Sequence, residues 1–533
     1  MLNVRRRVWA GVLSVMAAWP GLTAEEAVNI GGRRELFVDR ALIGKTAGDL
    51  RLALHHPERR EIVLETDKPW EGNASGYQSV LYADGKYRMY YRGMNYGKGM
   101  GVSDTTVEDH EWVLCYAESA DGIRWTRPEL GICDFHGSSA NNIILNGAMV
   151  KPFAANPACT AVFIDTNPAC PADQRFKLVL TNEDRKDAEH FGVHVMASED
   201  GVHFTMLTKK RCISDGMFDS QNTIFWDPAA KKYRAYYRYF RDGFPQGIRD
   251  IMTSASEDIA SFPPGKPVAR EQGKEHALYT NQMQPYYRAP HIILGFPMRY
   301  CDRGTNAWAW PALSALPGVE NRQARSAKSN RYGTAVTDGV LLVSRDGENV
   351  RLWEEAFMRP GPRARESWVY GDNFIFWGLV ETASHLGDAP NEISLYSTEG
   401  YWEGNSTKIR RSTLRLDGFV SAQASAAGGE LVTKPLIFAG TALSINFETG
   451  GPGELRVEIQ DPDGKPLPGF TLDDGFPIFG DHIDFPVAWK RKGTDVGALA
   501  GKPVRLRFTL RDADLYAFQF GGAVNAAASA VYK

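Results

Sequence analysis

The stretch Lys86-Tyr-Arg-Met-Tyr-Tyr-Arg-Gly93 returns almost unchanged as Lys232-Tyr-Arg-Ala-Tyr-Tyr-Arg-Tyr239. Each copy follows an apolar run and a polar turn, Val80-Leu-Tyr-Ala-Asp-Gly85 in the first and Ile224-Phe-Trp-Asp-Pro228 in the second. Weaker copies of this hairpin lie at 161–184, 284–300 and 367–381. Their second strands end near Arg92, Asn182, Arg238, Arg299 and Glu381, a period of about 72 residues. A second signature, Ser-x-acid-Gly, alternates with the first at Ser119, Ser198, Ser344 and Ser397, with a degraded copy at Ser256. Ser and Asp fold back on backbone amides in tight turns and Gly supplies a positive φ, so each signature reads as a hairpin turn. One such turn after each of five hairpins makes a four-stranded unit, and five units predict an all-β, five-bladed β-propeller.

Working outward, the repeats end near Arg410. From Leu414 the texture changes to alternating strands broken by Gly and Pro, such as 442–447, 455–459, 504–508 and 516–520. This predicts a β-sandwich over 414–520 after a propeller at 25–413 that includes an N-terminal lead-in. The small-residue stretch 521–533 reads as a disordered tail. Residues 1–24 read as a signal peptide: Arg5, Arg6 and Arg7 precede a short apolar run from Val8 to Leu22, and Ala24 suits cleavage. The expected location is therefore secreted or periplasmic, with no membrane partner once the signal is removed. In the 533-residue chain, 61 basic against 64 acidic residues excludes a basic nucleic-acid surface. The 52 Gly, 29 Pro and 11 % aromatic content fit many short strands and turns. Six cysteines form no C-x-x-C pair, so no structural zinc site is expected. Cys159 and Cys170 could close one loop, and their connectivity stays open. No P-loop, G-x-S-x-G elbow or dinucleotide fingerprint occurs, and no cofactor is expected.

Propeller geometry sorts the remaining conspicuous residues. Loops leading into each first strand and leaving each second strand share the face that opens on the central channel. There the repeat places Glu71, Asp219, Asn222, Asn281 and Glu366 before first strands, and Arg92, Glu183, Arg238 and Arg299 at second-strand ends. Repeated arginines beside tyrosines suit an anionic or hydroxyl-rich ligand. Paired carboxylates across a funnel suit glycoside cleavage, one protonating the leaving oxygen while the other activates water or attacks the anomeric carbon. Glu71, beside Trp70, is the expected acid and Asp219 the base or nucleophile, with Asp39 of the lead-in as a further candidate. Arg92, Arg238, Arg299, Asn222, Asn281, Glu183 and Glu366 are the expected substrate contacts, and no residue is assigned to a metal.

The motifs Leu36-Phe-Val-Asp39, Pro69-Trp-Glu-Gly72, Asp219-Ser-Gln-Asn222, Arg288-Ala-Pro-His291, Leu416-Asp-Gly-Phe-Val420 and 429–435 (Gly-Glu-Leu-Val-Thr-Lys-Pro) resemble exported bacterial proteins described as family 32-like glycoside hydrolases. More distantly, the chain resembles the propeller enzymes of glycoside hydrolase families 32, 43 and 130. The resemblance implies a five-bladed propeller with a C-terminal sandwich, acting on plant or algal polysaccharide. The chain lacks the family 32 W-M-N-D-P-N-G, R-D-P and E-C signatures, so it transfers no catalytic role. The expected function is a secreted glycoside hydrolase with a carbohydrate substrate. A polysaccharide lyase and a non-catalytic glycan-binding propeller are the alternatives.

Overall fold

The computed structural model describes residues 25–102, 104–208, 210–270, 276–304, 309–316, 318–364 and 367–522. The fold is all-β, with its sheets in a propeller-like arrangement. Lys86–Gly93 is the second strand of a four-stranded antiparallel sheet, between Ser79–Ala83 and Val113–Ser119, with Ile143–Asn146 outermost. Lys232–Arg241 occupies the same place in a third sheet, between Thr223–Asp227 and Ile248–Ser256. The second sheet runs Asn156–Ile164, Phe176–Asn182, Gly192–Ser198 and Thr205–Met206. A fourth, seven-stranded sheet contains Ala289–Gly295, Ala335–Ser344 and Asn349–Met358. The fifth holds Val380–Thr382, Glu392–Glu399 and Lys408–Arg415, and its last strand is Glu58–Glu65, from ahead of the first sheet.

Both faces of these sheets are buried, which is why the repeated strands are aromatic throughout. Tyr87, Met89 and Tyr91 pack toward the fifth sheet on Phe376, Tyr396 and Ile409. Tyr90 packs the other way, on Phe176, Leu178 and Leu180 of the second. Further clusters join Val179 and Val193 to Ile224 and Tyr236, and Leu294 and Leu341 to Ile393 and Leu395. The Ser-x-acid-Gly turns at Ser119, Ser198 and Ser344 end third strands and explain their own composition, whereas Ser397 lies in Glu392–Glu399, the second strand of the fifth sheet, and is not a copy of that turn. Ser119, Ser198 and Ser344 each accept, through Oγ, the amide of the glycine three residues on, all at 2.9 Å. The carbonyl of that glycine then accepts a tyrosine hydroxyl from the neighbouring sheet: Tyr396 on Gly122 at 2.5 Å, Tyr90 on Gly201 at 2.9 Å, Tyr236 on Gly347 at 2.8 Å. The two sequence signatures are the halves of one inter-sheet hydrogen bond. A Cβ at Gly201, where φ is +76°, would lie 2.8 Å from the Tyr90 hydroxyl, so both backbone and space demand glycine.

Three further expectations change. The strands Val28–Gly31, Arg34–Leu36 and Ile43–Leu54, expected to lead into the propeller, join instead a separate eight-stranded sheet with Val420–Thr433, Ala442–Gln460 and Pro503–Gly521. The reason is apolar: Ile30, Phe37, Leu42 and Ile43 share one cluster with Phe438, Phe508, Phe518 and Phe520. A helical insertion, Ala309–Ser314, Val319–Lys328 and Asn330–Thr334, interrupts the fourth sheet, which a strand-period repeat could not reveal. All six cysteines are free thiols, so Cys159 and Cys170 close no loop. The signal peptide expected at 1–24 lies outside the described residues, as does the stretch beyond Gly522 expected to be a disordered tail. Among the described residues, no helix is long and apolar enough to cross a membrane.

Candidate functional site

At the inner ends of the sheets, just ahead of the first strands, a ring of buried amides ties the fold together. Gln221 Nε2 donates to the carbonyls of Gln78 and Thr160, both at 3.0 Å, and its side-chain oxygen accepts Gln282 Nε2 at 2.8 Å. The loop carrying Asp219 is pinned to this ring. Ser220 Oγ donates to Tyr279 O at 3.0 Å, and Asn222 Nδ2 donates to the carbonyls of Phe218 and Ser220 at 3.1 and 2.8 Å. The anchored flanks leave only the Asp219 side chain projecting, 66 % exposed, with one oxygen 3.2 Å from Arg238 Nη2.

Glu183 comes to the same place from the end of Phe176–Asn182. Asn182 Oδ1 accepts the Asp184 amide at 2.7 Å and its Nδ2 donates to Asp187 at 3.0 Å, which fixes the turn. One ligand atom each of Cys159, Glu183 and Asp219 lies within 4.8 Å of the others. The two carboxylates have opposite surroundings. Loss of hydration, then the Asp219 charge beside it, pushes the Glu183 pKa up to about 7, while Arg238 and Arg92 pull it back. Burial holds the Cys159 thiol well above its ordinary range. The donor set of a thiol and two carboxylates resembles that of a cation site, but the buried guanidiniums of Arg92 and Arg238 already supply its positive charge.

Glu183, Asp219 and Arg238 line a cavity of about 590 Å³, inside the ~300–1,000 Å³ range of small-molecule sites. Phe240, Phe244 and Tyr300 give it aromatic walls, and Arg249 and Arg331 close one side. Arg92 lies behind, its guanidinium 4.7 Å from the Tyr77 ring and hydrogen-bonded to Ala74 O and to the Tyr401 hydroxyl.

The expected residues therefore divide. Asp219, Glu183, Arg238 and Arg92 come together. Glu71 does not join them: it is fully buried in the seam of the first and fifth sheets. Its carboxylate accepts the Tyr91 hydroxyl at 2.5 Å, Arg127 Nε at 2.8 Å and the Lys68 amide at 3.1 Å. The Trp70 indole is spent on Asn142 at 2.7 Å. Asp39 holds Arg345 Nε at 2.8 Å and the Ala41 amide at 2.9 Å, beside a separate cavity of about 990 Å³ against Trp353. Arg299 forms a two-pronged pair with Asp338 at 2.9 and 2.6 Å. Asn222 and Asn281 spend their amides inside the protein, Asn281 on Thr223 at 2.8 Å and on the carbonyls of Gln221 and Tyr236. Glu366 lies outside the described residues. Sequence reasoning missed Arg249, Arg331, Phe240 and Phe244. A signal existed for three of them: Lys232–Arg241 outruns its repeat Lys86–Gly93 by two residues. That longer hairpin carries Phe240 and Arg249, paired in register, and the Phe244 turn. Arg331 comes from the helical insertion.

No family model and no curated protein matches the sequence. Solved structures do resemble the chain. A glycosyl hydrolase from Bacteroides ovatus is similar at a TM-score of 0.43 and 13 % identity, covering 68 % of this chain and 94 % of its own. A structure described as a glycoside hydrolase has a TM-score of 0.42 at 11 % identity, over 68 % of this chain and 92 % of its own. A structure reported for the GH130 family of mannoside phosphorylases, which contains glycoside hydrolases targeting β-1,2 mannosidic linkages in Candida mannan, has a TM-score of 0.37 at 12 % identity. It covers 70 % of this chain and 97 % of its own.

Proposed function

We propose that the protein is a glycoside hydrolase in which Glu183 is the general acid and Asp219 the nucleophile or base. The single observation that carries this reading is the carboxyl pair in one cavity, with Glu183 kept protonated to about pH 7 and Asp219 two-thirds exposed beside Arg238. Two adjacent carboxyls whose environments set them apart are the arrangement that lets one donate a proton while the other stays ionised. Their approach within 4.8 Å is closer to the ~5–5.5 Å of retaining enzymes than to the ~6.5–9.5 Å of inverting ones. Asp219 would attack the anomeric carbon as Glu183 protonates the leaving oxygen. Glu183, then ionised, would take a proton from the water that releases the sugar.

The same reading takes the five sheets as five propeller blades and the sheet shared by both chain ends as a sandwich beside them. It takes residues 1–24 as an export signal and an extracellular plant or algal glycan as substrate source. A lyase is less well served: its base would be a tyrosine or histidine, and burial lifts the Tyr300 hydroxyl to about 12, while no histidine lines the cavity. The test is a panel of poly- and oligosaccharides with products resolved by mass. Glycosidic cleavage with addition of water, lost in Glu183→Gln and Asp219→Asn, supports the reading. Cleavage that yields unsaturated sugars identifies a lyase, and binding without products refutes catalysis.

A further inference from the structure

The cavity is built with more positive hydrogen-bonding capacity than its own carboxylates use. Arg238 is only 5 % exposed. Its Nε donates to Met217 O at 3.2 Å and its Nη2 faces Asp219 at 3.2 Å, but its buried Nη1 has no hydrogen-bond partner. Arg249 stands alongside, with its guanidinium 5.3 Å from the Phe240 and Tyr279 ring centres and 5.4 Å from that of Tyr300. Its buried Nε is likewise unpartnered. Arg331, from the helical insertion, adds a third guanidinium to the same wall. With Arg185 at the rim, four arginines face three carboxylates, Glu183, Asp219 and Asp302. Asp302 is occupied by the Gly304 amide and the Thr334 hydroxyl.

A buried guanidinium N–H left without an acceptor loses its hydration and gains nothing in return, which costs on the order of 1–3 kcal/mol. Buried polar groups are almost always satisfied, so an exception inside a cavity points to a partner brought by the ligand. Both guanidiniums pack over the same Phe240 and Tyr279 rings, which concentrates on one wall positive charge that an oxyanion can answer. A neutral sugar hydroxyl would satisfy one donor and leave the excess positive charge unanswered.

We infer that Arg238, Arg249 and Arg331 form a subsite for an anionic substituent of the sugar, a uronate carboxylate or a sulfate ester. This deepens the glycosidase reading and rests on it. An oxyanion in the cavity answers the excess of guanidinium over carboxylate on its wall. It also places the charged sugar against Phe240 and Tyr300, beside the carboxyl pair. The arginines bind and orient, and the carboxyls carry the chemistry.

The test is calorimetric binding to Glu183→Gln, which keeps the site's shape but does not turn substrate over. Length-matched neutral, uronate-bearing and sulfated oligosaccharides are compared, with inorganic phosphate as a further arm. One of the two acidic ligands is expected to bind about 10–100-fold tighter than the neutral one, as one or two charge-assisted hydrogen bonds allow. Which one it is separates carboxylate from sulfate recognition. Adding Arg249→Gln or Arg331→Gln should erase most of that preference, lowering acidic-sugar affinity far more than neutral-sugar affinity. Two independent positions guard against one variant failing to fold, and Arg249→Lys should restore part of the effect of charge but not its two-pronged geometry. Equal binding of neutral and acidic sugars overturns the inference, even if neutral glycans are hydrolysed. Phosphate binding without acidic-sugar preference also overturns it. An acidic preference in a protein that cleaves nothing would instead uphold the subsite and remove the glycosidase reading.

Discussion

Glu183→Gln should stabilise the fold at alkaline pH while removing activity. In the folded protein, lost hydration and the Asp219 charge raise the Glu183 pKa from 4.5 to about 7. Below pH 4.5 folded and unfolded chains both hold the proton, and the group contributes no pH dependence. As pH rises from 4.5, the unfolded chain releases the proton while the folded chain keeps it, so stability falls until the folded group ionises near 7. It is flat beyond that. The full span is worth about 3 kcal/mol, and the partial exposure of Glu183 reduces it to about 2–3 kcal/mol. A glutamine has the same shape and no proton to lose. Urea denaturation of wild type and Glu183→Gln, followed by tryptophan fluorescence between pH 4.5 and 8.5, reads this directly. The variant should gain on wild type as pH rises from 4.5, with its advantage levelling off by about pH 8. In an Asp219→Asn background the rise should begin at the same pH but level off sooner and at a smaller value, because the charge that helps lift Glu183 is gone. A pH-independent difference, or a wild type that gains on the variant as pH rises, would falsify the assigned environment of Glu183.

The basic limb of kcat/KM should fall above about pH 7, where Glu183 loses its proton, and each single amide variant should lose about 10²–10⁴-fold in rate. A limb unmoved by pH in that window would exclude Glu183 as the acid. Glu71→Gln should behave in the opposite way, costing about 1–3 kcal/mol by leaving the partly exposed Arg127 guanidinium only Asp67 and the Glu65 carbonyl while the folded fraction keeps kcat/KM within tenfold. Gly378→Ala should cost about 3 kcal/mol or more, because φ there is +119° and a Cβ would meet Val80 O at 1.8 Å in the seam of the fifth and first sheets. Unchanged urea midpoints for either variant would count against these placements.

The sheet pattern was legible because the repeat encodes a contact. Tyr90 and Tyr236 recur since each reaches a turn glycine of the next sheet, and local sequence records both halves. The proposed carboxyl pair was half legible. Asp219 was found, but its partner was sought at Glu71 on the argument that both precede a first strand. The structural register is finer than that. Ser79 pairs with Tyr90 and Thr223 with Tyr236, so the residue level with Asp219 in the first sheet is the buried Ser75, not Glu71. Arg299 failed for a related reason. Pairing with Ala335–Ser344 keeps one register from Ile293 opposite Ser344 to Arg299 opposite Asp338, which puts Met298 and not Arg299 level with Arg92 and Arg238.

These departures share a cause. A ring of equivalent sheets places the same residue at the same height on every sheet, and an evenly repeated cavity cannot orient an asymmetric sugar. Binding one sugar in one pose needs positions where the repeat is broken. In strand register Glu183 stands level with Met94 and Phe240, so of the first three sheets only the second has an acid at this position. Asp219 stands level with Ser75, so the acid there belongs to the third sheet and not to the first. Arg249 and Arg331 come from a lengthened hairpin and from an inserted helix, both additions to the repeat. The repeated positions hold the sheets together, and the chemistry sits where they differ. Substituting the unrepeated residues Glu183, Asp219 and Arg249 should therefore change what is bound and cleaved, whereas changes at the repeated Tyr90 or Tyr236 should change only stability.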